Sequence, residues 1–132
     1  MIYAVVDTNV LVSSFISKNP SSPTKKIVQM MLEGLVTPLY DESIIAEYNE
    51  VLRRSKFHLV RAEIDSIILY IQENGIHTSR TPFSEYMPDE SDRVFYEITL
   101  SVEDSFLVTG NLKHYPKEPR VVTPAEFLDI VL

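Results

Sequence analysis

The sequence predicts an α/β protein, a three-layer α/β/α sandwich around a central, mostly parallel sheet. Residues 2–6, Ile-Tyr-Ala-Val-Val, carry no charge and are apolar on both alternating faces. Such a run is a strand covered on both sides, the habit of parallel sheets. Strand-length apolar runs then alternate with stretches of helical spacing, the order of a parallel sheet with crossover helices. The first run also ends on a carboxylate, Asp7. Open α/β sheets keep their ligands there, beyond the carboxyl ends of the strands.

At 132 residues the chain is read as one domain spanning 1–132, long enough to bury roughly two thirds of its unfolded surface. Its composition, 45% hydrophobic and 23% charged, fits a soluble globular protein. No apolar run approaches the ~20 residues of a membrane span, and no basic segment leads an apolar one at the start. The expectation is therefore no membrane partner and a cytoplasmic location. The absence of cysteine rules out disulfides, thiol catalysis and thiolate metal sites. A formal net charge of −7 argues against broad neutralisation of nucleic-acid phosphates. Contact with nucleic acid must be local, or carried by bound cations that reverse the field.

In chain order, Val10–Ile16 continues apolar and starts a helix. The turn-rich stretch 18–23 breaks it, and Ser22 with Pro23 reads as an N-cap and first helical position. Ile27, Val28, Met31 and Leu32 give that helix its apolar stripe, and Gly34 suits its C-terminal end. Leu35–Tyr40 is a second strand. Asp41 caps a helix to about Arg54, with Ile44, Ile45, Tyr48, Val51 and Leu52 on one face. Arg61–Gln72 is a helix buried through Ile64, Ile67, Ile68 and Ile71, stopped by Asn74-Gly75. Ile76–Ser79 is a short strand, and 80–88 a loop with two prolines. Asp89-Glu90-Ser91-Asp92 opens a helix bearing Val94, Phe95, Ile98 and Val102. Ser105–Thr109 and Arg120–Val122 are strands, and Thr123-Pro124-Ala125-Glu126 is a capping-box start for the last helix.

The carboxylates carry the chemistry. Asp7 is either a ligand at the strand end or a solvated turn residue capping the next helix. At about 100° per residue, Glu47 lies on the border of its helix's apolar stripe and Glu50 roughly opposite it. Asp92 competes with Asp89 and Ser91 for helix capping. Asp104 precedes its strand and so lies about 16 Å from the carboxyl-end crevice. Asn111, beyond that strand, meets Asp7 if the two strands are neighbours, with Glu47 and Asp92 bordering from helices. Three carboxylates and an amide are oxygen donors suited to hard Mg²⁺ or Mn²⁺. Packed together they repel unless a cation holds them.

The stretches Val-Val-Asp-Thr-Asn-Val-Leu-Val-Ser, Ala-Glu-Tyr-Asn-Glu-Val-Leu around Glu47, Pro-Asp-Glu-Ser before Asp92, and Phe-Leu-Val-Thr-Gly-Asn-Leu-Lys-His-Tyr-Pro together resemble a PIN domain. The likeness is to the stand-alone prokaryotic members described as toxins of toxin–antitoxin pairs. It implies a Mg²⁺- or Mn²⁺-dependent endoribonuclease acting on single-stranded RNA, with Asp7, Glu47 and Asp92 as the acidic triad. It also implies a homodimer and an antitoxin partner. Asn111 stands where family members often carry a fourth acid, which lowers the charge available to a second metal. Thr109 matches a small hydroxyl residue. Thr8, Asn9, Thr109 and Asp89 take supporting positions, and Arg93 and Lys113 are candidates for RNA phosphate. Arg53, Arg54, Lys56 and Arg61 read first as compensation of helix ends and a solvated face. His58, His77 and His114 show no metal spacing, and His114 reads as loop packing. Excess apolar surface around Tyr70 and Ile71 is the expected dimer contact. The rival readings are an inactive PIN-fold binding module and a phosphohydrolase beginning Asp-x-Asn, which would lack its acid–base group at Asn9.

Overall fold

The structure, a computed structural model, describes residues 1–132. Strands β1 (Ile2–Val6), β2 (Val36–Tyr40), β3 (Ile76–His77), β4 (Ser105–Val108) and β5 (Val121–Val122) form one sheet in the order β3-β2-β1-β4-β5. Every pairing is parallel. Six helices alternate with them: α1 (Thr8–Ile16), α2 (Pro23–Leu32), α3 (Glu42–Leu52), α4 (Arg61–Asn74), α5 (Arg93–Leu100) and α6 (Pro124–Val131). Ala4 and Val5 point to opposite faces of β1, and both are fully buried. Helices therefore cover both faces, as an α/β/α sandwich of the PIN type requires. Helix α5 lies across β1, β2 and β4, while α2 packs on β2, α1 and α6.

Local chemistry accounts for most element ends. The Ser22 side chain accepts from the Lys25 N–H, and Asp41 Oδ1 accepts from the Ile44 N–H at 2.9 Å. Thr123 and Glu126 form the reciprocal capping box. Gly34 follows α2 with φ +79°, the left-handed position glycine takes just past a helix.

Several boundaries differ from the sequence reading. Helix α1 begins at Thr8 rather than Val10. Helix α4 runs on to Asn74, and β3 and β5 hold two residues each. Val102 lies beyond α5, which stops at Leu100. The Arg120 guanidinium takes the carbonyls of Thr99, Val102 and Glu103, so the chain turns where the apolar spacing would have continued. Ile71 is 1% exposed and belongs to the core, so it offers nothing to a dimer contact. Tyr70 donates its hydroxyl to the Met31 carbonyl and lines an apolar furrow between α1, α2 and α4. Arg53 and Arg54 are paired with Asp65 and Glu50. No helix is long and apolar enough to cross a membrane.

Candidate metal centre

From β1 the chain steps outward to β2 and β3, then returns to the other side of β1 to lay down β4 and β5. The strand order thus reverses between β1 and β4, and ligand crevices form at such switch points. Asp7 and Thr109 emerge side by side there. The Asp7 N–H extends the ladder to the Val108 carbonyl at 3.0 Å, and the Thr109 N–H does so to Val122 at 2.9 Å.

Asp7 occupies the N-cap position of α1, yet its side chain makes no capping bond. Its Oδ2 instead accepts the hydroxyls of Thr109 at 2.8 Å and Tyr115 at 2.9 Å. The residue is 3% exposed. Burial pushes its pKa up, and the two hydroxyl bonds oppose that rise. A solvated turn carboxylate would show neither feature.

Glu47 sits half-buried on α3, one residue before Tyr48, whose phenol donates to the Val6 carbonyl at the end of β1. That bond sets α3 against the strand end. Glu47 Oε2 accepts the Thr8 hydroxyl. Its pKa is raised by burial first, with the charges of Asp7, Asp92 and Asp89 adding to it. Glu50 is exposed and engaged with Arg54.

Asp89 wins the competition for capping. It precedes a 3-10 turn, Glu90–Asp92, and its Oδ1 accepts from the Ser91 N–H and hydroxyl. Asp92 makes no capping bond and is 7% exposed. Its Oδ2 lies 2.9 Å from His114 Nδ1. Its pKa is pushed up to about 6, by burial and then by the charge of Asp7, with His114 opposing. Asp89, Asp92 and His114 each offer one donor atom within 4.8 Å of the others.

The structure thus brings Asp7, Glu47 and Asp92 within each other's electrostatic reach, with Asp89 and His114 on the border. Thr8, Asn9 and Thr109 supply internal bonds. Asn9 Oδ1 accepts from the Gly110 N–H at 2.9 Å, tying the start of α1 to the turn after β4. Asn111 is exposed and donates its backbone N–H to Thr109 Oγ1, while its carboxamide makes no hydrogen bond. Lys113 is exposed and has no ion-pair partner. The Arg93 guanidinium is bound to both oxygens of Glu90 and to the Phe83 carbonyl.

His114 and Tyr115 are the residues the sequence reading missed at this site. Both stand in the Lys-His-Tyr-Pro stretch already singled out, but a tyrosine there reads as apolar packing. The missed signal is that a buried phenol needs a partner for its hydroxyl.

Neither Asp7, Glu47 nor Asp92 is paired with a lysine or arginine. Clustered oxygen donors lacking a fixed countercharge fit a hard divalent cation. No curated protein matches the chain. Residues 3–113 match the family described as PIN domain. That span runs from β1 into the turn after β4 and takes in Asp7, Glu47, Asp92 and Asn111, so the chain belongs to the PIN-domain family and has a fold of the nuclease type.

Proposed function

We propose that the protein is a Mg²⁺- or Mn²⁺-dependent endoribonuclease that hydrolyses phosphodiester bonds of single-stranded RNA. The observation that carries this reading is the group of three carboxylates, Asp7, Glu47 and Asp92, gathered at the β1/β4 switch point with no lysine or arginine paired to any of them. These residues would hold the cation, and the Asn111 carbonyl oxygen would join them from the mouth. A divalent cation bound there supplies Lewis acidity toward a phosphodiester and neutralises developing charge.

The chain's own residues do the rest. Thr8 and Thr109 hold one oxygen each of Glu47 and Asp7, which fixes how these carboxylates face the crevice. Lys113, exposed and next to His114 in sequence, would meet a substrate phosphate in this reading. With a net charge of −7, attraction for RNA has to be concentrated at this spot.

A toxin role in a toxin–antitoxin pair, capture by an antitoxin and a homodimeric state belong to the same proposal. The furrow of about 710 Å³ lined by Phe15, Val28, Leu32 and Tyr70 is the apolar surface that supports a protein partner.

The test is cleavage of a single-stranded RNA with Mn²⁺ by wild type and Asp7→Asn. Loss of more than about 100-fold is expected, beyond the 10–100-fold usual for residues that only support a metal ligand. Equal rates in both proteins overturn the proposal. Asn111, which removes a charge from the family's fourth position, favours the inactive binding module as the second reading. RNA binding without cleavage by wild type would select it.

A further inference from the structure

Two adjacent side chains reach two different carboxylates. Leu112–His114 forms a 3-10 turn, held by the His114 N–H on the Asn111 carbonyl at 3.0 Å, and Tyr115 leaves it with extended backbone. The change of backbone at this step lets neighbouring side chains diverge. His114 Nδ1 lies 2.9 Å from Asp92 Oδ2, and the Tyr115 hydroxyl lies 2.9 Å from Asp7 Oδ2. Asp7 follows β1 and Asp92 precedes α5, and no hydrogen bond joins them directly. His114 and Tyr115 directly follow the span matched to the family.

We propose that His114 and Tyr115 are positioning residues of the metal centre, a clamp that occupies one oxygen of Asp92 and one of Asp7 and leaves the other oxygen of each for a divalent cation. The inference rests on the reading that Asp7 and Asp92 hold that cation. An ionised carboxylate only accepts hydrogen bonds, so His114 Nδ1 carries the proton in this contact. The Tyr115 phenol has the same polarity, donating to Oδ2, where it joins the Thr109 hydroxyl. Neither hydroxyl reaches Oδ1 of Asp7, and Oδ1 of Asp92 accepts no bond from His114.

The base of the clamp is itself fastened. Tyr115 is 6% exposed. Glu118, three residues on, accepts the Tyr96 hydroxyl at 2.6 Å and the Arg120 Nε–H at 2.9 Å. Tyr96 lies on α5, the helix that Asp92 leads into, so the turn and the second carboxylate share one support. Outer partners of this kind orient metal ligands, and their loss costs about 10–100-fold in metal affinity.

Mn²⁺ titration calorimetry on the full chain tests this, comparing wild type, Asp7→Asn, Tyr115→Phe, His114→Ala and His114→Asn. Tyr115→Phe removes only the hydroxyl, and His114→Asn keeps an N–H near the place of Nδ1. Weakening of about 10-fold or more is expected for Tyr115→Phe and His114→Ala, with His114→Asn recovering most of the loss. Melting of each metal-free variant is followed alongside. Lower melting temperatures with unchanged Mn²⁺ affinity would mean that the two residues only support the fold, which overturns the clamp. Unchanged affinity in both variants, beside a wild type that binds and an Asp7→Asn that does not, overturns the clamp and leaves the centre standing. If wild type fails to bind Mn²⁺, or Asp7→Asn binds as well, the centre falls and the clamp with it.

Discussion

Asp7 has the backbone of a helix cap and the side chain of something else. Its carboxylate makes no helix-capping bond and is bound by hydroxyls from residues 109 and 115. Asp92 shares this condition, with a pKa pushed up to about 6, and Glu47 is raised as well. A carboxylate whose pKa is higher folded than unfolded stabilises the metal-free fold most below its unfolded value, and that contribution is lost as pH rises through the folded value. The metal-free protein is thus predicted to lose stability from Asp92 between about pH 4 and 6 as pH rises, with Asp7 and Glu47 acting in the same direction. Below about pH 6 a cation must displace a proton from Asp92, so Mn²⁺ affinity is predicted to weaken as pH falls through that value. Calorimetric titrations across that range measure it, and a flat profile would contradict the raised value. Spacing set Asp7 at a strand end and Glu47 at the border of a helix face, but left Asp92 competing with Asp89 for a cap; the likeness to a PIN domain is what grouped the three. Tyr115 was not legible. Its hydroxyl partner is remote in sequence, and spacing records only that a ring is buried.

Among the elements, ends with a local cause were legible: Ser22, Asp41 and Thr123 cap the helices they precede, and Gly34 closes α2. The end of α5 was not, because Arg120, from beyond β4, takes the Thr99 carbonyl in its last turn and the Val102 carbonyl just past it. The joint between α4 and β3 makes a prediction at this scale. A Cβ at Gly75 would stand 2.5 Å from the Ile71 carbonyl oxygen and 2.6 Å from that of Pro38. Both are backbone atoms, in α4 and β2, so neither can swing aside. Gly75→Ala is expected to destabilise the protein by about 1–3 kcal/mol, the usual cost of overpacking. Urea unfolding would show this as a lower midpoint at constant slope. A midpoint equal to wild type would mean that the joint has slack the structure does not show.

The whole molecule was legible as a parallel sandwich because its strands are apolar on both faces; which strand lies beside β1 was left open, since every strand reads alike in composition. The pairing of β1 with β4 sets Asp7 beside Thr109 at the switch point, where α3 adds Glu47 and the start of α5 adds Asp92. A divalent cation that binds only the folded state should therefore add about 2.7 kcal/mol of stability at 100 times its Kd and so raise the melting temperature. Scanning calorimetry with and without Mn²⁺ measures the shift, and Asp7→Asn should abolish it. An equal rise in that variant would point to binding elsewhere. The pairing also sets an order of events in the cell. Asp7 leaves the ribosome well before the hydroxyls that hold it, which stand 102 and 108 positions later. At roughly 5–20 residues per second, seconds pass before they exist. A nascent chain of this protein can accordingly complete the proposed centre only once residue 115 has been made, and a fragment cut short before residue 109 has the first carboxylate without the groups that aim it.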